Sequence, residues 1–109
     1  MTPEEAVDLY LAAWNVAGDA ERLELVRRAF TEDAVRVGHD LGHGPDEIAA
    51  TMSQIEARRT SGLQLQHGWS RFEWEAVADG ERLAGVDVAE HADDGRISRL
   101  IVFYTHRVP

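Results

Sequence analysis

The stretch FEWEAVADGERLAGVDVAEHADDGRISRLIVFYTH, from Phe72 to His106, decides the fold. Its apolar side chains recur at every second residue, the period of a strand with one buried face. Asp79-Gly80 interrupts the first alternation and Asp93-Asp94-Gly95 the second, and both are turn sequences that join antiparallel neighbours. The stretch therefore predicts an antiparallel meander, with strands up to Asp79, over Leu83 to His91 and over Ile97 to His106. Just upstream, Leu63, Leu65, His67 and Trp69 share one parity, whereas Phe72, Trp74 and Ala76 share the other. A parity switch moves side chains to the opposite face, so a tight turn or a bulge is expected between Gly68 and Arg71.

Towards the amino terminus the period lengthens from two residues to about three and a half. Pro3 stands near a first helical turn, with Glu4 and Glu5 where the helix dipole favours carboxylates. Val7, Tyr10, Leu11 and Trp14 follow the spacing of one helical face, widened by Ala6, Leu9 and Ala13. Gly18 ends this helix and Asp19 is the expected cap of a second, whose stripe is Leu23, Val26 and Phe30. The alternation Val35-Arg36-Val37 predicts a short strand over Ala34 to Gly38, followed by a glycine- and histidine-rich loop from His39 to Pro45. Pro45 fits the start of a third helix with Ile48, Met52 and Ile55 on its buried stripe, stopped by Ser61-Gly62. The order of elements predicts an α+β fold: three helices, one early strand and a carboxyl-terminal meander.

A chain of 109 residues is the size of one domain, residues 1–109, and buries enough surface to need no staple. It contains no cysteine, which excludes disulfide scaffolds, thiolate zinc sites and cysteine nucleophiles. The net charge of -9 comes from 20 acidic residues against 11 basic ones, all arginine. Such a surface repels phosphate backbones and anionic lipid, so neither nucleic acid nor a membrane is an expected partner. The acidic start, Met1-Thr-Pro-Glu-Glu5, lacks the basic and apolar segments of a signal peptide, and a cytoplasmic location is expected.

Tyr10-Leu-Ala-Ala-Trp-Asn15, Phe30-Thr-Glu-Asp-Ala34, Gly44-Pro-Asp-Glu-Ile48 and Val86-Asp-Val88, followed by Asp94-Gly-Arg-Ile97, carry a resemblance. Over nearly its whole length the chain resembles the nuclear-transport-factor-2-like superfamily, and within it the SnoaL-like polyketide cyclases and ketosteroid isomerases. The resemblance implies a cone-shaped, curved antiparallel sheet wrapped around three amino-terminal helices, with a ligand cavity in the open end. It further implies a small apolar, oxygen-bearing ligand such as a polyketide- or steroid-like ketone, chemistry without a cofactor, and a homodimer. Tyr10 matches the helix-one tyrosine that donates to the substrate oxygen, and Asp87 the protonated aspartic acid that is its second donor. An enolate needs donors aimed at its oxygen, and a carboxyl group donates only while neutral. The family's carboxylate base aligns with Gly38, which leaves His39 or Asp40, one and two residues later, as replacements. Between the third helix and Asp79 the chain is about one short hairpin shorter than the family. The aspartate–arginine–aspartate set of the epoxide hydrolases finds only Asp87 and no arginine at a matching strand spacing, although Arg71 is nearby in sequence.

Each of these residues also has a plain structural reading. Tyr10 sits on an apolar stripe and Asp87 between two strand valines, either as a surface charge or as a polar exception inside. The inside reading places Asp87 near the Tyr10 hydroxyl with Trp14 or Trp74 close by, and raises its pKa by desolvation. Trp14, Phe72, Trp74 and His67 are candidate cavity wall or ordinary core. His39, Asp40 and His43 lack a helix to gather them, so a solvated loop and no metal is expected. His91 and His106 are expected at the surface. Val86, Val88, Ile101 and Phe103 would leave apolar area on the outer sheet face, where a second copy could pair.

Overall fold

Thr2 sets the start of α1 (Pro3–Asn15): its hydroxyl accepts from the Glu5 amide at 3.1 Å, and the Glu5 carboxylate accepts back from the Thr2 amide. The structure, a computed structural model, describes residues 1–108, with side chains to residue 105. After α1 come α2 (Asp19–Ala29), β1 (Phe30–Val37), β2 (Leu41–His43) and α3 (Gly44–Ala50). Five strands follow: β3 (Glu56–Arg59), β4 (Gln64–Gln66), β5 (Trp69–Ala78), β6 (Glu81–His91) and β7 (Ile97–Val108). This is the expected α+β fold, a curved, mostly antiparallel sheet in the order β2-β1-β7-β6-β5-β3, with β4 on the same edge of β5 as β3. Among the described strands only the β1–β7 pair runs parallel.

The predicted meander is β5, β6 and β7. Asp79 and Gly80 both take positive φ, as do His67 and Gly68, so each pair forms a two-residue turn whose twist matches its strands. The expected parity switch is thus a tight turn, which joins β4 to β5. His106 lies in β7, but its side chain is outside the described residues.

Strand β6 starts two residues before the expected Leu83 and β7 ends two residues after the expected His106, and four further boundaries differ from the sequence reading. Gly18, not Asp19, is the cap position of α2; the Asp19 carboxylate instead accepts from Arg22 at 3.1 Å. The early strand begins at Phe30, because that buried ring belongs to the sheet and not to the stripe of α2. The third helix stops at Ala50, and Leu41–His43, read as loop, pairs with β1. Met52 and Ile55 do pack inward, but from the chain beyond the helix: the Met52 amide donates to the Ala49 carbonyl at 3.1 Å, and the Ile55 amide donates to the Trp14 carbonyl at 2.8 Å and leads into β3. Apolar spacing of three and four residues was satisfied without a helix. That shortened helix releases β3, which accounts for the strand that the sequence lacked.

The core lies between the helices and the concave face of the sheet. Val7, Tyr10, Val26, Phe30, Ile48, Phe72, Ile97 and Leu100 are its largest fully buried apolar side chains. Asn15 ties α1 to β3, donating to the Ala57 carbonyl and accepting from its amide. His91, expected at the surface, is half-buried. A carbonyl only accepts, so Nδ1 donates to Gly95 O at 2.8 Å, and Nε2 accepts from the Ser70 hydroxyl at 2.7 Å. Burial lowers the His91 pKa, and the Gly95 carbonyl opposes this.

Candidate functional site

Alternation along three strands sends every second residue into the concavity. On β6, Asp87 points inward while Val86 and Val88 point out; its register partners are Phe72 on β5 and Val102 on β7. On β1, Arg36 points inward between Val35 and Val37. Opposite them, α1 contributes Tyr10, Leu11 and Trp14. Together these residues line a cavity of about 230 Å³, closed further by Ile55, Ala57, Leu83 and Val102.

Three polar side chains stand deep in it: Tyr10 is 1% exposed, Asp87 3% and Arg36 4%. Arg36 Nε donates to the Tyr10 hydroxyl oxygen at 2.9 Å, which leaves the Tyr10 O–H free to donate to another acceptor. The Arg36 guanidinium lies 5.2 Å from the Trp14 ring and 6.0 Å from that of Tyr10, within the range of cation–π attraction. Trp74 Nε1 donates to Asp87 Oδ1 at 2.8 Å. That bond requires Gly85, the register partner of Trp74: a Cβ there would collide with the indole ring and with the Phe103 carbonyl. Glycine lets the indole lie across β6 and reach the carboxyl two residues away.

Burial pushes the Asp87 pKa up to about 7, against the Trp74 hydrogen bond and the Arg36 charge, which both lower it. Burial, with the nearby Asp87 charge, pushes Tyr10 up to about 12 against the pull of Arg36. Burial also works against the charge on Arg36, yet Tyr10 and then Asp87 outweigh it and hold the guanidinium above the ordinary arginine value. At neutral pH the cavity therefore contains a phenol, a guanidinium and a carboxyl group poised between its two forms.

The mouth is built by the loop after β1 and the inner side of β7. His39 stacks on Tyr104 with centroids 4.5 Å apart, and Tyr104 meets Trp74 edge to face at 5.6 Å. His39 and Asp40 line the cavity but remain exposed. Gly38 faces the site too: a Cβ there would stand 3.4 Å from Arg36 Nη1.

Of the candidates from sequence, Tyr10, Trp14, His39, Asp40, Trp74 and Asp87 meet at one cavity. Two stand apart. His67 is exposed, because it forms the left-handed corner of the β4–β5 turn. Phe72 is fully buried below the cavity, in the core. Arg71, the arginine noted nearby in sequence, is exposed and donates to Gln64 at 3.1 Å. Sequence reasoning missed Arg36 and Tyr104. Among the described residues no group of three or more His, Asp or Glu side chains could hold a metal ion. A second hollow of about 310 Å³ lies along β3, β5 and Asn15, where Arg58 is paired with Glu75 at 3.0 Å. No helix among the described residues is long and apolar enough to cross a membrane.

Helices, curved sheet and cavity together bear out the resemblance to the nuclear-transport-factor-2-like superfamily, whose cone fold this chain has. More particularly, it is similar to a SnoaL-like family protein from Agrobacterium tumefaciens strain C58 described as a candidate isomerase. The identity is 26%, the TM-score 0.82, and the match covers 93% of this chain and 95% of the other. A candidate ketosteroid isomerase from Kribbella flavida matches with 17% identity and a TM-score of 0.73, over 98% of this chain and 80% of that one. An NTF2-like protein of unknown function from Cytophaga hutchinsonii matches with 14% identity and a TM-score of 0.74, over 96% and 91%. At those two identities the likeness is one of fold alone. No protein-family model matches the chain, and no curated protein matches its sequence.

Proposed function

We propose that this protein binds a small ketone in the cavity and acts on it as a cofactor-free isomerase or cyclase, through an enolate. The observation that carries this reading is the convergence of Tyr10, Arg36 and Asp87 on one buried space. Negative charge that develops on a ligand oxygen would meet the Tyr10 O–H and the protonated Asp87 carboxyl, with a guanidinium beside them. Donors fixed in a space largely free of water stabilise such charge without reorganising. Asp40 or His39, at the mouth, would take a proton from the carbon next to the carbonyl and return it elsewhere on the ligand. A volume of about 230 Å³ lies below the roughly 300–1,000 Å³ of pockets for drug-sized ligands, which favours the smaller members of the polyketide- and steroid-like class.

The experiment is exchange of carbon-bound protons for deuterium in a panel of cyclic ketones, followed by NMR, with a thermal-shift screen of the same panel for binding. Catalysed exchange that is lost in His39→Ala or Asp40→Asn supports the enolate reading. Binding without exchange supports the second reading, a ligand-binding module without catalysis. Gly38 favours that second reading, since it faces the site from the family's base position and offers no side chain. We also propose that the chain is one cytoplasmic domain that pairs as a homodimer through the outer sheet face. There, Val86 pairs with Phe103 and Val88 with Ile101, and Phe103 is 52% exposed. A sedimentation mass of one 12.2 kDa chain at micromolar concentration would overturn the dimer.

A further inference from the structure

Arg36 is a buried charge whose hydrogen bonding is incomplete. It is 4% exposed, yet among the described residues its only hydrogen bond runs from Nε to Tyr10. Among the described residues Nη1 and Nη2, with four N–H groups between them, meet no acceptor, and no carboxylate lies within 4.0 Å of the guanidinium. Asp87 makes no close ion pair with it: Trp74 bonds Oδ1, and the Asp87 and Arg36 charges act on each other from beyond 4.0 Å. Nor are the two amines sealed in: no described side-chain nitrogen or oxygen cut off from solvent lacks a partner, so both amines keep access to the cavity they line.

A guanidinium held in this way is a receptor for an anion. Burying a charge is costly unless it is paired and hydrogen-bonded, and a forked carboxylate offers the planar pair of acceptors that Nη1 and Nη2 match. We propose that the cavity's ligand carries a carboxylate, so that the substrate class is a small oxo acid. Its carboxylate would sit on the two Arg36 amines and its apolar body against Leu11, Trp14 and Ile55. This rests on the reading of the cavity as a ligand site and specifies what that ligand is. The single cation and the apolar lining favour a carboxylate over a phosphate, which would need more donors than Arg36 supplies. The chain's charge of -9 repels anions at long range, but screening confines that field to about 8–10 Å at physiological salt. A positive charge inside the cavity then decides the outcome at contact.

The test uses the intact protein and three compounds of one size: benzoate, benzamide and acetophenone. Calorimetry and the fluorescence of Trp14 and Trp74 follow binding. Benzoate is expected to bind at least tenfold more tightly than benzamide, and Arg36→Met to reduce that ratio to about one or below. Arg36→Lys keeps the charge without the fork, and is expected to retain a preference smaller than the wild type's. Should Arg36→Met not fold, Arg36→Lys and the ¹⁵N signals of the Arg36 side chain, shifted by benzoate and not by benzamide, carry the same test. Equal binding of benzoate and benzamide, with acetophenone bound, overturns the carboxylate and leaves the ketone reading standing. If none of the three binds, both fall.

Discussion

Two arginines of this chain are equally buried and differently employed. Arg22 is 3% exposed and Arg36 4%. Arg22 spends its donors on the protein: Nε donates to the Ala13 carbonyl at 3.0 Å, Nη2 to the Val16 carbonyl at 2.6 Å, and Nη1 to Asp19 at 3.1 Å. These bonds satisfy carbonyls at the end of α1, where the helix leaves them unpaired, and they place a cation at the negative end of its dipole. Arg36 makes one such bond and directs its remaining donors into a cavity. Burial alone therefore does not distinguish a structural charge from a functional one. The state of its hydrogen bonds does.

The largest effect that follows is on stability at Arg22. Arg22→Met strands two carbonyls, and charged hydrogen bonds of this kind contribute about 1.5–3 kcal/mol each, so urea denaturation is expected to show a loss of roughly 4 kcal/mol. A smaller effect, with a fixed sign, belongs to Asp87. Folded, it keeps its proton up to about pH 7; unfolded, it releases it near the ordinary 3.8. The unfolded chain thus binds fewer protons between these values, and stability falls as pH rises through that window. Asp87→Asn is expected to be more stable than the wild type at pH 8, by on the order of 3 kcal/mol, with little gain at pH 4. The comparison at each pH cancels the contribution of His91, whose lowered pKa makes stability fall as pH drops below about 6.5.

Arg36→Met comes next. It removes a guanidinium that makes one hydrogen bond and no ion pair among the described residues, and is expected to cost about 1 kcal/mol or less. A loss as large as that of Arg22→Met would erase the distinction between the two residues. It should also push the Asp87 pKa above about 7, since Arg36 acts to lower it. The smallest effect is at the surface pair Arg27–Asp46, 3.0 Å apart with both side chains largely exposed. Arg27→Ala is expected to cost less than about 1 kcal/mol and to lose even that in high salt.

Much of this contrast could be read from the sequence, and the part that was missed was written there twice. Val86-Asp87-Val88 and Val35-Arg36-Val37 are the same pattern, a charged residue between two strand valines. Valines that cover the outer face leave Asp87 inside, and the same logic applied to β1 sends Arg36 inward beside it. Turn chemistry was legible at Asp79-Gly80 for a local reason: both residues take positive φ, and glycine supplies it at small cost. The end of α3 was not legible, because Ile48, Met52 and Ile55 satisfy a helical period while the chain leaves the helix after Ala50. Long-range bonds, from Ile55 to the Trp14 carbonyl and between Asn15 and Ala57, overrode the local pattern. His67 misled for a related reason, since strand parity ends where the two-residue turn begins.

Asp87 keeps its proton up to about pH 7, beside a cation with which it makes no close ion pair. Selective ¹³C labelling of aspartate carboxyl groups, with Asp87 assigned by Asp87→Asn, follows its titration directly by NMR. A single Asp87 transition near pH 7 is the predicted result, far above the ordinary 3.8. A transition at or below 3.8 would mean that Asp87 is ionised at neutral pH and serves as the counter-ion of Arg36, which contradicts both the oxygen-stabilising cavity and the open anion site.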